Sequence, residues 1–426
     1  MYTLEDWVRH GDELRRPLLV SKDLVDSESL GIVGGGLSGL SLAYRIGLER
    51  PDLPIKLIEK TGRLGGVIET WREDEWVCDI SVNAVRPHPS FWRLVDDLGM
   101  GDSFGPSRGI ASSRWIILRG GKHRISPATI LKIGAFGFLR GVFNSRKVGS
   151  SVLDVLQNRE IADAMTLGIV NDTADQVDAN FLFPSLTGFG PKAPISRRSL
   201  RKKISKSYPI FTPRKGSLAS LEGGMEDIIR VLHDTISKME NIEIILESEE
   251  GGPEEVSSAY DIPISSMIWT STLPGRDHGE TTLSVFAVGF QEEGVSEVEI
   301  GYGTLIPDPN TPISGILHES DIHSSRRAPE GHRLFRLMVP HTRWDGNEQT
   351  VREALRGLNG FSGEPAIFRR IGERAIPRYP PGYLSSLKNY SGDLSLAGWT
   401  GSGVSVTHVV DEAERISELF TRLQKD

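Results

Sequence analysis

The sequence predicts an α/β protein: a Rossmann-like dinucleotide-binding domain joined to an α+β domain and a helical insertion. Three observations predict it. Leu30-Gly-Ile-Val-Gly-Gly-Gly-Leu-Ser-Gly39 reads as a strand, a glycine turn and the start of a helix. A second strand, Ile55-Lys-Leu-Ile-Glu59, ends in a carboxylate, and Arg63-Leu-Gly-Gly66 follows directly.

Each glycine of the turn has its own physical reason. Gly34 turns the chain tightly after the strand, Gly36 lets the backbone approach a pyrophosphate, and Gly39 lets the helix pack close to the sheet. The helix then offers unpaired N–H groups and the positive end of its dipole to phosphates. Glu59 stands about twenty residues on, the distance at which such a carboxylate accepts hydrogen bonds from ribose hydroxyls. A lone glycine triplet is weak evidence; strand, helix and acid in register make it strong.

Composition bounds the rest. At 426 residues the chain exceeds the size of a single growing core, so two or three domains are expected. With 38% hydrophobic and 25% charged residues it reads as globular and soluble. Its single cysteine, Cys78, excludes an intrachain disulfide and suggests a reducing, cytoplasmic compartment. A net charge of −8 argues against general nucleic-acid binding. Residues 1–28 read as a polar N-terminal extension and not as a secretory signal. No apolar stretch reaches the roughly 18 residues that a bilayer span requires.

Along the chain, Ser90–Leu98 reads as a helix with Phe91, Leu94, Val95 and Leu98 at core spacing. Arg114–Leu118 reads as a strand that turns at Gly120-Gly121 and continues to Pro127. Ala128–Val148 is apolar with interspersed cations, fitting either a buried helix or one on a membrane surface. Lys192–Lys215 carries nine Lys and Arg and no acid. Such a run is ordinarily a solvated or disordered loop, which is the expectation, with an anionic-lipid contact or a funnel for a polycarboxylate as sharper alternatives. Asn241–Leu246 and Met267–Thr270 read as strands separated by an acidic loop, Glu247–Glu255. Thr282–Phe290, Gly301–Pro307, Ile313–Leu317 and His332–Val339 suggest an antiparallel sheet. Leu394–Ala397 reads as a strand, Gly398–Gly403 as a glycine turn and Val404–Leu419 as a helix.

The Arg63-Leu-Gly-Gly66 stretch behind the glycine turn resembles the flavin-containing amine oxidase superfamily, in which it runs beside FAD. Within it, the chain is similar to the protoporphyrinogen oxidase family. The likeness runs through Arg114–Pro127, Asp163–Asp172 with Phe183-Pro184, Ser220–Met225, Gly301-Tyr-Gly-Thr-Leu-Ile-Pro307, Ser314–Ser320, Arg327–Gly331, Ala375–Tyr379 and Leu396-Ala-Gly398 with Gly403–Val406. It spans residue 29 to the C-terminus in order. Departures are Asp79-Ile-Ser-Val-Asn-Ala84, where the family usually has an acid followed by Gly-Pro-Arg-Ser or similar, Trp399 after Leu-Ala-Gly, and His408 where a small or acidic residue is common.

The resemblance implies a glutathione-reductase-type FAD-binding domain from residues 29–90, 211–275 and 368–426. It also implies a substrate domain from 91–127 and 276–367, and a helical, membrane-associating insertion at 128–210. It assigns FAD to Gly34, Gly35, Gly36, Leu37, Ser38, Gly39, Glu59, Lys60, Arg63, Gly65, Gly66 and Val67, to Ser81, Val82, Asn83 and Ala84, and to Gly398, Val404, Ser405 and Val406. It assigns substrate to Arg114, whose planar fork suits a propionate, to Gly168, and to Leu305, Leu317 and Met338 around the macrocycle. The bland alternatives are an exposed strand arginine, a turn glycine and core apolar residues.

The implied reaction is six-electron oxidation of a porphyrinogen, protoporphyrinogen IX or coproporphyrinogen III, by way of flavin to oxygen, in haem or tetrapyrrole biosynthesis. The cofactor carries such chemistry, so no side chain is assigned as catalytic. No histidine has metal-ligand spacing, so no metal is assigned. Peripheral contact with the cytoplasmic face of a membrane and a homodimer are compatible with the family, and nucleic acid is not an expected partner. The competing readings are another flavin amine oxidase, a carotenoid-type desaturase, and an FAD-binding homologue altered in turnover through the Asp79–Ala84 loop.

Overall fold

The computed structural model describes residues 2–118, 120–126, 141, 144–184, 187, 189–208, 218–271, 279–388 and 390–422. Residues 127–140, 209–217 and 272–278 therefore lie outside it, and with them most of the apolar Ala128–Val148 stretch and the end of the cationic run. Among the described residues no helix is long and apolar enough to cross a membrane.

Five parallel strands form the first sheet, in the spatial order Ser395–Leu396, Met267–Trp269, Leu30–Val33, Ile55–Ile58, Ile242–Ile245. Strands of this kind are covered on both faces, which is why Leu30–Val33 is buried at every position. Leu30, Ile32, Ile55, Leu57 and Ile268 turn to one side, against helices Leu37–Glu49, Glu226–Ile236 and Val406–Arg422. Val33, Ile58, Met267, Trp269 and Leu396 turn to the other, where Phe181, Tyr379 and Tyr383 stack on one another. The order of strands reverses beside Leu30–Val33, so a crevice opens at the carboxyl ends of Leu30–Val33 and Met267–Trp269, the switch point at which such sheets bind ligands.

The second sheet has seven strands, in the order Ile367–Pro377, Glu280–Gln291, His332–Pro340, Gly315–Leu317, Gly303–Leu305, Arg114–Leu118, Gly121–Arg124. The four segments whose turn signals suggested an antiparallel sheet pair antiparallel within it, and Gly303–Leu305 also runs parallel to Arg114–Leu118, a pairing between distant parts of the chain whose direction no hairpin dictates. One face is closed by Glu348–Arg356 over Phe286, Phe335, Leu337 and Ile316. The opposite face is partly roofed by helix Arg159–Val170, whose Ala164 packs with Ile116, Leu118 and Leu305.

Some expectations change. The cationic run is not simply a loop: Arg197–Ser207 is a helix, capped by Ser196 and anchored through Leu200 on Trp7 and Leu14. A single buried leucine beside a short apolar cluster was enough to order it, and charge patterning does not register that. The acidic loop contains a helix, Pro253–Tyr260, with proline at its start and Glu254 and Glu255 in the first turn, where the dipole favours them. Gly398–Gly403 closes as one helical turn, Trp399–Ser402, between two positive-φ glycines. The polar N-terminal segment is docked: Trp7 is buried, Arg9 pairs with Glu414 at 2.7 Å and His10 with Asp411 at 2.9 Å, and Leu19 bridges to Leu396.

Candidate functional site: a glycine cradle beside a half-open sheet face

The carboxyl ends of three parallel strands converge on the first glycine turn. Gly34 has φ +111°, and a Cβ there would stand 2.5 Å from Thr270 Oγ1; the Thr270 hydroxyl donates to the carbonyls of Val33 at 2.9 Å and Gly34 at 3.0 Å. Gly398, after the third strand, approaches Ser38 and the Thr270 carbonyl, and its N–H donates to Glu412 at 2.6 Å. Thr270 was not singled out from sequence, although its place just past a strand end was a usable signal.

Gly36 caps helix Leu37–Glu49 without any side-chain hydrogen bond, which leaves the first N–H groups of the helix open to an anion. Opposite it, Gly65 and Gly66 run at φ +110° and +56°, and Gly36 bridges to Gly65. A Cβ on Gly36 would meet nothing nearer than Gly66 Cα at 3.9 Å, so the space over this turn is bare backbone on both sides. The Ser38 hydroxyl, at the helix entrance, is buried without a hydrogen-bond partner. A cradle with open amides and an orphaned hydroxyl fits the pyrophosphate of a dinucleotide.

Glu59 is buried and already well used. Its Oε2 accepts from the Gly35 N–H at 2.7 Å, and its Oε1 from the Thr61 N–H at 2.9 Å and hydroxyl at 2.7 Å. The carboxylate is thereby held rigid, with further lone pairs available for ribose hydroxyls. Lys60 is exposed beside it. Arg63 turns its guanidinium back onto the carbonyls of Leu64, Gly66 and Ile68, at 3.1, 2.5 and 3.2 Å, so in this structure it holds the second glycine turn.

A chain of contacts joins the cradle to the second sheet. The Ser81 hydroxyl donates to the carbonyl of Val67, and Arg336 donates to the carbonyls of Asp79 and Ser81. Arg336 also pairs with buried Glu319 at 3.0 Å, and Glu319 reaches His323 at 2.9 Å and Asn83 at 3.5 Å. Burial alone would raise the Glu319 carboxyl, but Arg336 and His323 outweigh it and bring it down to about 2. Asp79 beneath is held by the Thr70 hydroxyl and the Met225 N–H, both at 2.7 Å. The Asp79–Ala84 loop is thus braced from below by ions that sequence reading did not single out. Val82 and Ala84 are half-buried, as are Val404, Ser405 and Val406 at the start of helix Val406–Arg422.

The second sheet brings together the residues assigned to substrate. Register pairs Arg114 with Gly303, Gly303 with Leu317, Leu305 with Gly315, and Gly315 with Met338. Side chains alternate along strands, so Arg114, Leu305, Leu317, Arg336 and Met338 share one face. Leu305, Leu317 and Met338 are half-buried while Ile306, Ile316 and Leu337, on the other face, are buried. Gly168 lies in helix Arg159–Val170, not in a turn, and a Cβ on it would come within 3.3 Å of Leu305. The result is a partly open apolar floor, edged by a cation and roofed by a helix that approaches closely at a glycine.

The fold has counterparts among known proteins. Residues 32–98 match the model of the NAD(P)-binding Rossmann-like domain. The fold is shared with solved structures of a candidate protoporphyrinogen oxidase from Exiguobacterium sp. (TM-score 0.65, 18% identity, 93% of this chain and 99% of that one) and of cyclohexylamine oxidase from Brevibacterium oxydans (TM-score 0.61, 13% identity, 96% and 100%). The fold is thus the one these flavin-dependent oxidases share, and the cradle suits a dinucleotide such as FAD. In sequence the chain is similar to porphyrinogen oxidases. It is 22% identical to coproporphyrinogen III oxidase of Staphylococcus aureus over 85% of this chain and 91% of that protein, and 22% identical to protoporphyrinogen oxidase 2 of Arabidopsis thaliana over 91% and 94%.

Proposed function

We propose that this protein oxidises a porphyrinogen to the porphyrin, with oxygen as the final electron acceptor. The observation that carries the reading is the half-open face of Leu305, Leu317 and Met338 with Arg114 at its edge, one braced loop away from the glycine cradle. A reduced tetrapyrrole is a broad apolar ring with carboxylate arms, and this face offers an apolar floor and a guanidinium fork. FAD, when bound, supplies the two-electron acceptor. The protein orients the ring: the floor excludes water from the bridge carbons, and Arg114 fixes one edge through a propionate. Arg336 holds the Asp79–Ala84 loop between cradle and floor, so the distance between cofactor and substrate rests on a buried ion pair. Purified protein is expected to be yellow and to release its flavin on acid precipitation, since Cys78 is buried and offers no attachment point. Flavin left in the protein pellet would contradict noncovalent binding.

Porphyrin fluorescence on incubation with each porphyrinogen tests the reaction and chooses between protoporphyrinogen and coproporphyrinogen. Removing a charged hydrogen-bond partner of a carboxylate costs roughly 1.5–3 kcal/mol, so Arg114→Ala is expected to lower kcat/KM by about one to two orders of magnitude with FAD content unchanged. Arg114→Lys should recover only part, because an ammonium cannot reproduce the fork. Parent-level turnover in the alanine variant would remove Arg114 from the site. A variant that lost its flavin would make it a support of the fold.

Peripheral contact with the cytoplasmic face of a membrane belongs to the same proposal. Helix Arg197–Ser207 presents Arg197, Arg198, Arg201, Lys202, Lys203 and Lys206 to solvent while Leu200 anchors it. Each well-placed cation contributes about 1 kcal/mol at an anionic surface, and salt weakens it. Cosedimentation with phosphatidylserine vesicles at low ionic strength, reversed by salt, is the expected result; no sedimentation at low salt makes the helix a solvated face only.

A further inference from the structure

A hollow opens between the N-terminal segment and the insertion, and none of the residues assigned to cofactor or substrate lines it. It holds about 610 Å³, within the roughly 300–1,000 Å³ of small-molecule sites. Arg15 and Arg16 form one wall; Arg146 and Lys147, at the basic end of the apolar Ala128–Val148 stretch, form another. The loop Phe189-Gly190-Pro191 closes it. Gly190 has φ +73°, and a Cβ there would stand 2.7 Å from the Arg15 carbonyl oxygen, so the loop seats directly on Arg15. Asn180, also in the lining, ties helix Ala179–Leu182 to the second wall by donating to the Lys147 carbonyl at 3.3 Å.

The charges around the hollow are of one sign: among the described residues no carboxylate lines it. The nearest acids are already engaged. Glu13 lies 3.0 Å from buried Arg16, and Asp12 is shared between Arg15 at 3.5 Å and Arg197 at 3.6 Å. The Nη1 of Arg15 donates to the Phe189 carbonyl at 3.1 Å, which fixes the guanidinium and leaves Nη2 without a bond among the described residues. Arg146 is exposed and has neither a hydrogen bond nor an ion pair among them. Walls of one sign focus the field and concentrate counter-ions, and a fixed guanidinium offers phosphate a ready fork. The rim is apolar as well. Tyr2 is 40% and Val148 70% exposed, two large hydrophobic side chains that the fold leaves uncovered at the edge of a cationic hollow.

We infer that this hollow binds a phosphate group carried on an apolar body, the phosphate among Arg15, Arg146 and Lys147 and the apolar part along Tyr2 and Val148. A phosphate monoester carries about −1.5 to −2 charge at pH 7 and three strong acceptor oxygens, enough to answer several cations at once where a carboxylate answers one. Arg16, paired with Glu13 and donating to the Phe181 carbonyl at 2.7 Å, supports the wall and is not assigned to the ligand. The headgroup of an anionic lipid and a soluble organic phosphate share this chemistry. The inference rests on neither the porphyrinogen reading nor the membrane reading, since helix Arg197–Ser207 contributes no residue to the lining.

Dihexanoylphosphatidic acid, dihexanoylphosphatidylcholine and glycerol 3-phosphate, titrated as monomers into the full-length protein and followed by calorimetry, test the site. The phosphatidic acid is expected to bind one per chain and about tenfold or more tighter than either of the others, because the choline ester offsets the phosphate charge and glycerol 3-phosphate lacks the apolar body. Arg146→Gln, an exposed change that should melt with the parent, is expected to weaken it by about tenfold, and Arg146→Lys should restore part. Lys202→Gln, on the cationic helix outside the hollow, should leave the affinity unchanged. Equal loss in Arg146→Gln and Lys202→Gln would mean diffuse attraction to a positive surface and overturn the inference. So would the absence of saturable binding, parent-level affinity in Arg146→Gln, or a parent with no preference for phosphatidic acid. Vesicles containing phosphatidic acid then separate the two sources. A larger loss of cosedimentation in Arg146→Gln than in Lys202→Gln assigns the phosphate to a membrane lipid, and equal cosedimentation of the two assigns it to a soluble organic phosphate; the site stands in either case.

Discussion

Alanine at position 39 is expected to leave the protein without flavin and severely destabilised. A Cβ added there would stand 1.9 Å from the carbonyl oxygen of Gly34 and 3.1 Å from its carbonyl carbon. Both atoms are backbone of the tight turn, so no side chain can swing aside. Overpacking ordinarily costs about 1–3 kcal/mol and occasionally more, and a collision of backbone with a helix anchored on the sheet belongs at the upper end. The helix would have to lift away from Leu30–Val33 and carry its open N–H groups off the phosphate position. Gly36→Ala is the informative contrast. Its Cβ would find only Gly66 Cα at 3.9 Å, so the fold should survive while the added methyl claims space over the cradle. FAD affinity should then fall by roughly ten- to a hundredfold, or about 1–3 kcal/mol. Flavin absorbance per protein after desalting, with thermal unfolding, reads both variants. Full flavin in Gly39→Ala, or parent affinity in Gly36→Ala, would remove the corresponding glycine from the role given to it.

Glu319→Ala is expected to be the most damaging side-chain change away from the cradle. Glu319 is wholly buried, 3.0 Å from Arg336 and 2.9 Å from His323, and also reaches Asn83. Breaking a buried pair by removing one partner costs about 3–5 kcal/mol, because the other charge is left uncompensated. Arg336 also holds the carbonyls of Asp79 and Ser81, so the loss should spread to the loop between cradle and sheet. The same pair predicts an acid limit. The Glu319 carboxyl lies at about 2 in the folded protein against 4.5 ordinarily. Its stabilisation is therefore present above about pH 4.5 and is lost as pH falls toward 2. Thermal midpoints of parent and Glu319→Gln should differ most above pH 4.5 and converge below it. A gap that stays constant across that window would show that the pair does not couple to folding.

What the chain declared by itself is local. Leu30–Gly39, Ile55–Glu59 and Arg63–Gly66 announce strand, turn, helix and second turn because the chemistry that each requires is read by neighbours a few residues away. Met267–Thr270 and Leu394–Ala397 likewise read as strands, and Met267–Trp269 and Ser395–Leu396 are strands in the structure. Patterning failed where a distant partner decided the outcome. Arg197–Ser207 is a helix because Leu200 finds Trp7 and Leu14. The candidate site shows the same division. Arg114, Leu305, Leu317 and Met338 were named through family resemblance, but their common face follows from strand register, which no single segment encodes. Thr270 and Arg336 carry no motif, and Glu319, although within Ser314–Ser320, has no signal of its own there. Long-range packing alone turned Thr270 onto Gly34 and buried Glu319 against Arg336, because charge pairing and close backbone approach act through space and leave no periodic trace in the sequence.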